Sequence, residues 1–142
     1  MPEVSFYVLQ SGGETGRRQF ACRLAEKVYK LSHSVHIATP DNPTAKDLDE
    51  LLWTFRDGSF VPHELAAADA QAEAPVTIGP GAAAATSAPF LLINLDHDLP
   101  AGWEACERVA EIVGDDAESR QMCRSRYARY RELGHTPVTH EL

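Results

Sequence analysis

Along the N-terminal third of the chain, short, mainly apolar runs alternate with segments of helical period, and this alternation narrows the fold more than any other feature. Val4 to Leu9 is an apolar run followed by the glycine-containing loop SGGETG. A helical pattern then covers Thr15 to Leu31, with Phe20, Leu24, Val28 and Leu31 recurring at spacings of three and four. Val35 to Thr39 reads as a second buried strand. Thr44-x-x-Asp47 resembles a capping box that opens a helix carrying Leu48, Leu51 and Leu52. Strand, helix, strand, helix predicts a parallel sheet flanked by helices, because a parallel crossover needs a helix-length connection.

The rest of the chain extends the pattern less evenly. Ala66 to Ala88 turns to Ala, Gly and Pro, so this stretch is expected to be rich in loops, with Pro75 to Ile78 its only strand. FLLINL, Phe90 to Leu95, is apolar but for Asn94 between Pro89 and Asp96, as expected of a strand buried on both faces. Arg108 to Val113 fits either period, since Val109, Ile112 and Val113 suit a strand or a helix. Ala117 to Leu133 reads as a last helix, opened by Asp115 and Asp116 and stopped by Gly134. At 142 residues, 44% of them hydrophobic, the chain suits one core, so a single α/β domain over 1–142 with three layers and a mainly parallel central sheet is expected.

Several function classes lose support from composition. No apolar run approaches the roughly 18 residues of a membrane span, and MPEVSFYVLQ lacks the basic start and cleavage site of a signal peptide, so a soluble cytoplasmic protein without membrane contact is expected. Cys22, Cys106 and Cys123 are odd in number and far apart, which predicts free, mostly buried thiols and neither a disulfide framework nor a zinc site. His33-x-x-His36 and Asp96-His97-Asp98 lack the helix-borne or cysteine-backed context of a metal site, so no metal is expected. SGGETG sits where a phosphate loop would, yet has no following Lys-Ser/Thr and does not complete G-x-G-x-x-G. A nucleotide-binding α/β enzyme with a degenerate phosphate loop therefore stands as the alternative reading. No Ser, His and Asp grouping has a nucleophile-elbow context, and no catalytic residue is assigned.

Two segments are candidates for binding. On a helical wheel of about 100° per residue, Ser119, Met122, Cys123, Tyr130 and Leu133 gather on one side of the last helix, and Arg120, Arg124, Ala128 and Arg131 on the other, with Tyr127 at their border. Arginine presents a permanent planar fork suited to carboxylates, and an adjacent aromatic offers a wall for an apolar group. The pair suits an acidic peptide ending in a hydrophobic residue. The same residues also suit a solvated helix end that complements the dipole, or a phosphate site, although a net charge of −8 opposes a polyanion at long range. Five of the thirteen Lys and Arg residues fall between Arg120 and Arg131. Arg126 falls on the apolar side and is expected to pair with a carboxylate or with backbone carbonyls. In Leu51 to Leu65, Trp53, Phe55 and Phe60 crowd around the turn Arg56-Asp57-Gly58. They either fold inward or meet a partner.

FYVL (Phe6 to Leu9), LDELLWTFRDGSFVPHEL (Leu48 to Leu65), APVTIG (Ala74 to Gly79) and SRYARYRELG (Ser125 to Gly134) together resemble the chi-subunit family of bacterial DNA polymerase III. The likeness spans nearly the whole chain, and L-W followed by S-F-V-P-H is its most specific part. It implies a Rossmann-like domain that binds no nucleotide or other cofactor and serves as a non-catalytic accessory subunit of the replicative holoenzyme. It further implies contact with the psi subunit of the clamp loader through a hydrophobic surface matching Trp53 and Phe60, for which a helicase-like repair protein competes. A second site implied by the resemblance takes the acidic C-terminal tail of single-stranded-DNA-binding protein, ending in Pro-Phe, at positions matching Val113, Arg124, Tyr127, Ala128 and Arg131. Arg120 is expected to meet the tail's upstream aspartates, and DNA is met only indirectly. Ala128 departs from the family, which has a lysine there, and the closing HTPVTHEL is unlike the family pattern.

Overall fold

The computed structural model describes residues 2–66, 74–80 and 89–142 and joins their strands into one seven-stranded sheet in which every neighbouring pair runs parallel. The elements are β1 (Glu3–Val8), α1 (Gly13–Lys30), β2 (Val35–Thr39), α2 (Asn42–Thr54), β3 (His63–Leu65), β4 (Val76–Pro80), β5 (Leu91–Asn94), β6 (Arg108–Val113), α3 (Ala117–Glu132) and β7 (Val138–Glu141), with a 3₁₀ turn over Trp103–Ala105. Strand order is β3-β4-β2-β5-β6-β1-β7. The expected α/β domain with a Rossmann-like three-layer build is what forms, and the sheet is wholly parallel. Much of the expected loop-rich stretch 66–88 lies outside the described residues.

Side-chain alternation divides the core between two faces of the sheet. Val35 and Ile37 of β2, Leu91 and Ile93 of β5, and Ala110 and Ile112 of β6 meet Cys22 and Ala25 of α1 and Leu48 and Leu52 of α2. Val4, Phe6 and Val8 of β1, Leu92 of β5, and Val109 and Val113 of β6 meet Trp103 and Tyr130 on the α3 side. Arg108–Val113, readable either way from its sequence, is a strand because β5 and β1 pair with it on both edges. Cys22 and Cys106 are buried and Cys123 half-buried, all three free. Burial pushes the Cys22 thiol up to about 12.

Local chemistry sets the helix ends, with one departure from expectation. Asp41, not Thr44, caps α2: its carboxylate accepts from the Thr44 N–H at 2.8 Å, and Pro43 follows at the helix start. Asp47 does not close a capping box but reaches Arg18 at 3.4 Å. Asp116 caps α3, accepting from the Ser119 N–H at 3.0 Å and its hydroxyl at 2.6 Å. Gly134, at φ 92°, takes the left-handed conformation past the helix end, where the His135 N–H reaches Tyr130 O at 3.0 Å. β3 and β7 had no counterpart in the sequence reading. β3 has three residues, and all four of β7 are exposed, so neither carries an apolar signature.

The crevice at the C-terminal ends of β6 and β1, where α1 and α3 leave on opposite faces, is the usual ligand position of such a sheet. In this chain Arg17 fills it. Its Nε donates to Ile112 O at 2.8 Å, one Nη to Leu95 O at 3.1 Å and the other to Glu14 at 3.1 Å. The remaining cavity of about 30 Å³ has room for a water molecule. The neighbouring pocket is lined by Glu14, Asp115, Asp116 and Glu118 beside Arg17 and His97, and its four carboxylates oppose a phosphate group.

Candidate functional site

The last helix is seated by polar contacts more than by apolar ones. Tyr130 is its only fully buried residue, and its ring meets Phe6 edge-on at 5.8 Å and Trp103 at 5.4 Å. The Tyr130 hydroxyl donates to Glu111 of β6 at 2.7 Å, Arg126 donates to the same carboxylate at 2.7 Å, and the Asn94 side-chain amide reaches it at 3.0 Å. Burial pushes the Glu111 carboxyl up, against the pull of Arg126, Asn94 and Tyr130. Arg126 also donates to the His97 carbonyl, so it pairs with both a carboxylate and a backbone oxygen, as its place on the wheel predicts.

Seated in this way, α3 turns a cationic flank outward. Arg124, Ala128 and Arg131 are exposed, and Tyr127 is half-buried with its ring 5.6 Å from Phe6, so these four residues share one surface. The Arg124 guanidinium donates to Gln121 at 2.7 Å, a contact within the same helix. Arg120 and Val113 stand differently. An Arg120 Nη donates to Leu9 O at 2.9 Å, and its buried Nε has no hydrogen-bond partner among the described residues. Val113 is 5% exposed and packs in the core beneath the flank. Leu133, placed on the inner side by the wheel, is exposed at the C-cap of α3, although its N–H still reaches Arg129 O at 3.1 Å.

On the other face of the sheet, α2 and the turn after it resolve the aromatic segment. Phe55 packs against the core, whereas Trp53 is 53% and Phe60 64% exposed, with ring centroids 5.7 Å apart. Beneath them the His63 ring lies 4.6 Å from Trp53, within hydrogen-bond distance of Val61 O at 2.6 Å and Asp49 O at 2.9 Å. Gly58, at φ 75°, lets the turn between the two rings close. Two large exposed aromatics in contact are a feature of interface centres rather than of an ordinary loop.

Among the described residues no group of three His, Cys, Asp or Glu side chains could hold a metal ion, and no helix is long and apolar enough to cross a membrane. The profile of the family described as DNA polymerase III chi subunit, HolC, matches residues 1–138. A protein of Pseudomonas aeruginosa named DNA polymerase III subunit chi is 39% identical over 142 residues, covering 100% of this chain and 98% of that one. The chain belongs to the chi-subunit family of DNA polymerase III. The Escherichia coli K12 protein of the same name is 31% identical over 138 residues, 94% of each chain, and that of Haemophilus influenzae 27% identical over 131 residues, 92% of this chain and 91% of its own.

The chi match covers both surfaces and all of α3, and stops at the first residue of β7. Three residues that organise the chi fold had not been singled out from the sequence: Glu26, Glu111 and Arg17. Glu111, and more weakly Glu26, is a charge among apolar neighbours in its own element, which could have marked it, whereas Arg17 lies between Gly16 and Arg18 and carries no such signal.

Proposed function

We propose that the chain is a non-catalytic accessory subunit of the replicative polymerase, acting in the cytoplasm as an adaptor between the clamp loader and template-coating protein. Trp53 and Phe60 receive the psi subunit, and a helicase-like repair protein competes for the same rings. The α3 flank receives the acidic tail of single-stranded-DNA-binding protein. The observation that carries this reading is the exposed flank on which Arg124, Arg131 and Tyr127 stand side by side, while the crevice that would serve chemistry is filled by Arg17.

Geometry suggests a division of labour along the flank. Arg124 or Arg131 takes the tail's terminal carboxylate as a charge-assisted fork, and the tail's phenylalanine lies on Tyr127 with Val113 as the floor below. Upstream aspartates meet Arg120 and the field around it. Holding the clamp loader to coated template raises its local concentration there, so contact with DNA itself is indirect.

The test is titration of a fluorescent acidic peptide ending in Asp-Ile-Pro-Phe. Replacing Arg124 and Arg131 together with alanine should weaken binding about tenfold or more, and the wild-type affinity should fall as salt rises. Binding unaffected by the double substitution rejects the site. Saturable micromolar binding of ATP, GTP or NAD by calorimetry would instead favour the nucleotide reading.

A further inference from the structure

We propose that Glu26 is a positioning residue for partner binding: from α1 it fixes the turn 55–60 and so holds Trp53 and Phe60 together as one preformed docking surface. The inference rests on reading those rings as the psi site.

Glu26 lies on the inward side of α1 beside Cys22 and Ala25, with its side chain 8% exposed. A carboxylate so placed is costly unless donors surround it. Two of its three donors come from the turn: the Ser59 hydroxyl hydrogen-bonds to it, and an Arg56 Nη stands 2.7 Å away. The third, Lys30 Nζ, is at 3.9 Å on the same helix. These contacts hold the Glu26 carboxyl below the usual range, with the Ser59 bond the largest cause.

The tether matters because the two rings reach the surface by different routes. Trp53 is carried on α2, a regular helix packed on the core. Phe60 follows a turn for which one internal backbone bond is described, Ser59 N–H to Arg56 O at 3.2 Å. Arg56 and Ser59 are the two ends of that bond, and both are gripped by the same carboxylate. With Val61 buried and His63 bonded to the Asp49 carbonyl, Phe60 is fixed from both sides, and its 5.7 Å approach to Trp53 is set before any partner arrives. A ring ordered in advance need not be ordered on binding, so losing the tether should weaken the complex about two- to tenfold.

The experiment uses the full chain as Glu26→Ala, Glu26→Gln and Trp53→Ala, titrated with purified psi subunit at a temperature where melting curves show every variant folded. Contact between the Trp53 and Phe60 rings is followed by NMR in the free protein. Glu26→Ala should lose the ring contact and bind psi about two- to tenfold more weakly. Glu26→Gln, which keeps an acceptor for Ser59 but loses the ion pair with Arg56, should fall between. A merely structural role would lower the melting temperature and leave both readouts unchanged. Retention of the ring contact in Glu26→Ala overturns the proposal, as does unchanged psi affinity when Trp53→Ala binds weakly. If Trp53→Ala itself binds psi like the wild type, the psi reading of this surface is what fails, and the ring contact alone then decides the role of Glu26.

Discussion

At the scale of single residues, Glu111 and Ala128 make opposite demands on α3. Arg126 neutralises a carboxylate that is 5% exposed, so Arg126→Ala leaves a buried charge unpaired and should destabilise the domain by about 3–5 kcal/mol in urea unfolding at pH 8. Burial already raises the Glu111 pKa, and without Arg126 it rises further, above its unfolded value. Such a group disfavours the folded state as pH climbs through the gap between the two values, so the loss should be smaller at pH 5 than at pH 8. Ala128 sits exposed between Arg124 and Arg131, and Ala128→Lys adds a rim charge without disturbing packing. It should tighten the acidic peptide about two- to fivefold at low salt, with the gain fading at high salt, as peptide titration at two ionic strengths would show. The sequence identified Arg126 as a paired charge because a wheel exposes a cation on an apolar face. It could not name Glu111, 15 residues away in a segment whose own period was ambiguous.

Elements were legible where local chemistry and burial agree. β2 matches the expected buried strand residue for residue, and α3 matches its acidic start and glycine stop, because each carries its own signal. β6 was decided only by pairing with β5 and β1, and β7 owes its strand to β1 alone, since none of its side chains is buried. In α2 the expected opener Thr44 is displaced by Asp41, three residues earlier, whose extended backbone, φ −157°, makes it the cap. Caps also give the helices a pH signature. The bonds from Ser119 hold the Asp116 carboxyl below its usual range, so its contribution is complete above about pH 4 and is lost as pH falls through the depressed folded value. Asp116→Ala should lower the melting temperature by about 3–5 °C at pH 7, and the gap to the wild type should narrow below pH 4. Asp116→Asn, which caps without a charge, should start nearer the wild type at pH 7 and move relative to it by the same amount as pH falls.

Across the whole molecule, the two candidate surfaces lie on opposite faces of one parallel sheet, and the sheet is the element least able to bend between them. Trp53 and Phe60 belong to the α1–α2 layer, while Arg124, Tyr127 and Arg131 belong to the α3 layer. No described hydrogen bond or ion pair links the two sets, because Glu26 and His63 serve one and Glu111 and Arg126 serve the other. Coupling in an allosteric protein requires an element with two arrangements that both ligands bias, and a sheet with β2, β5 and β6 paired on both edges offers none. Sites this separate are expected to be independent within about 0.5 kcal/mol. The acidic peptide should therefore bind the free chain and its psi complex with affinities within about twofold of each other, measured as one closed cycle by calorimetry. An adaptor gains from such independence: it can join two assemblies in either order, and the local concentration set by the first contact then governs the second. A coupling of tenfold or more would mean that the sheet has a second arrangement, and would turn the chain from a passive link into a switch.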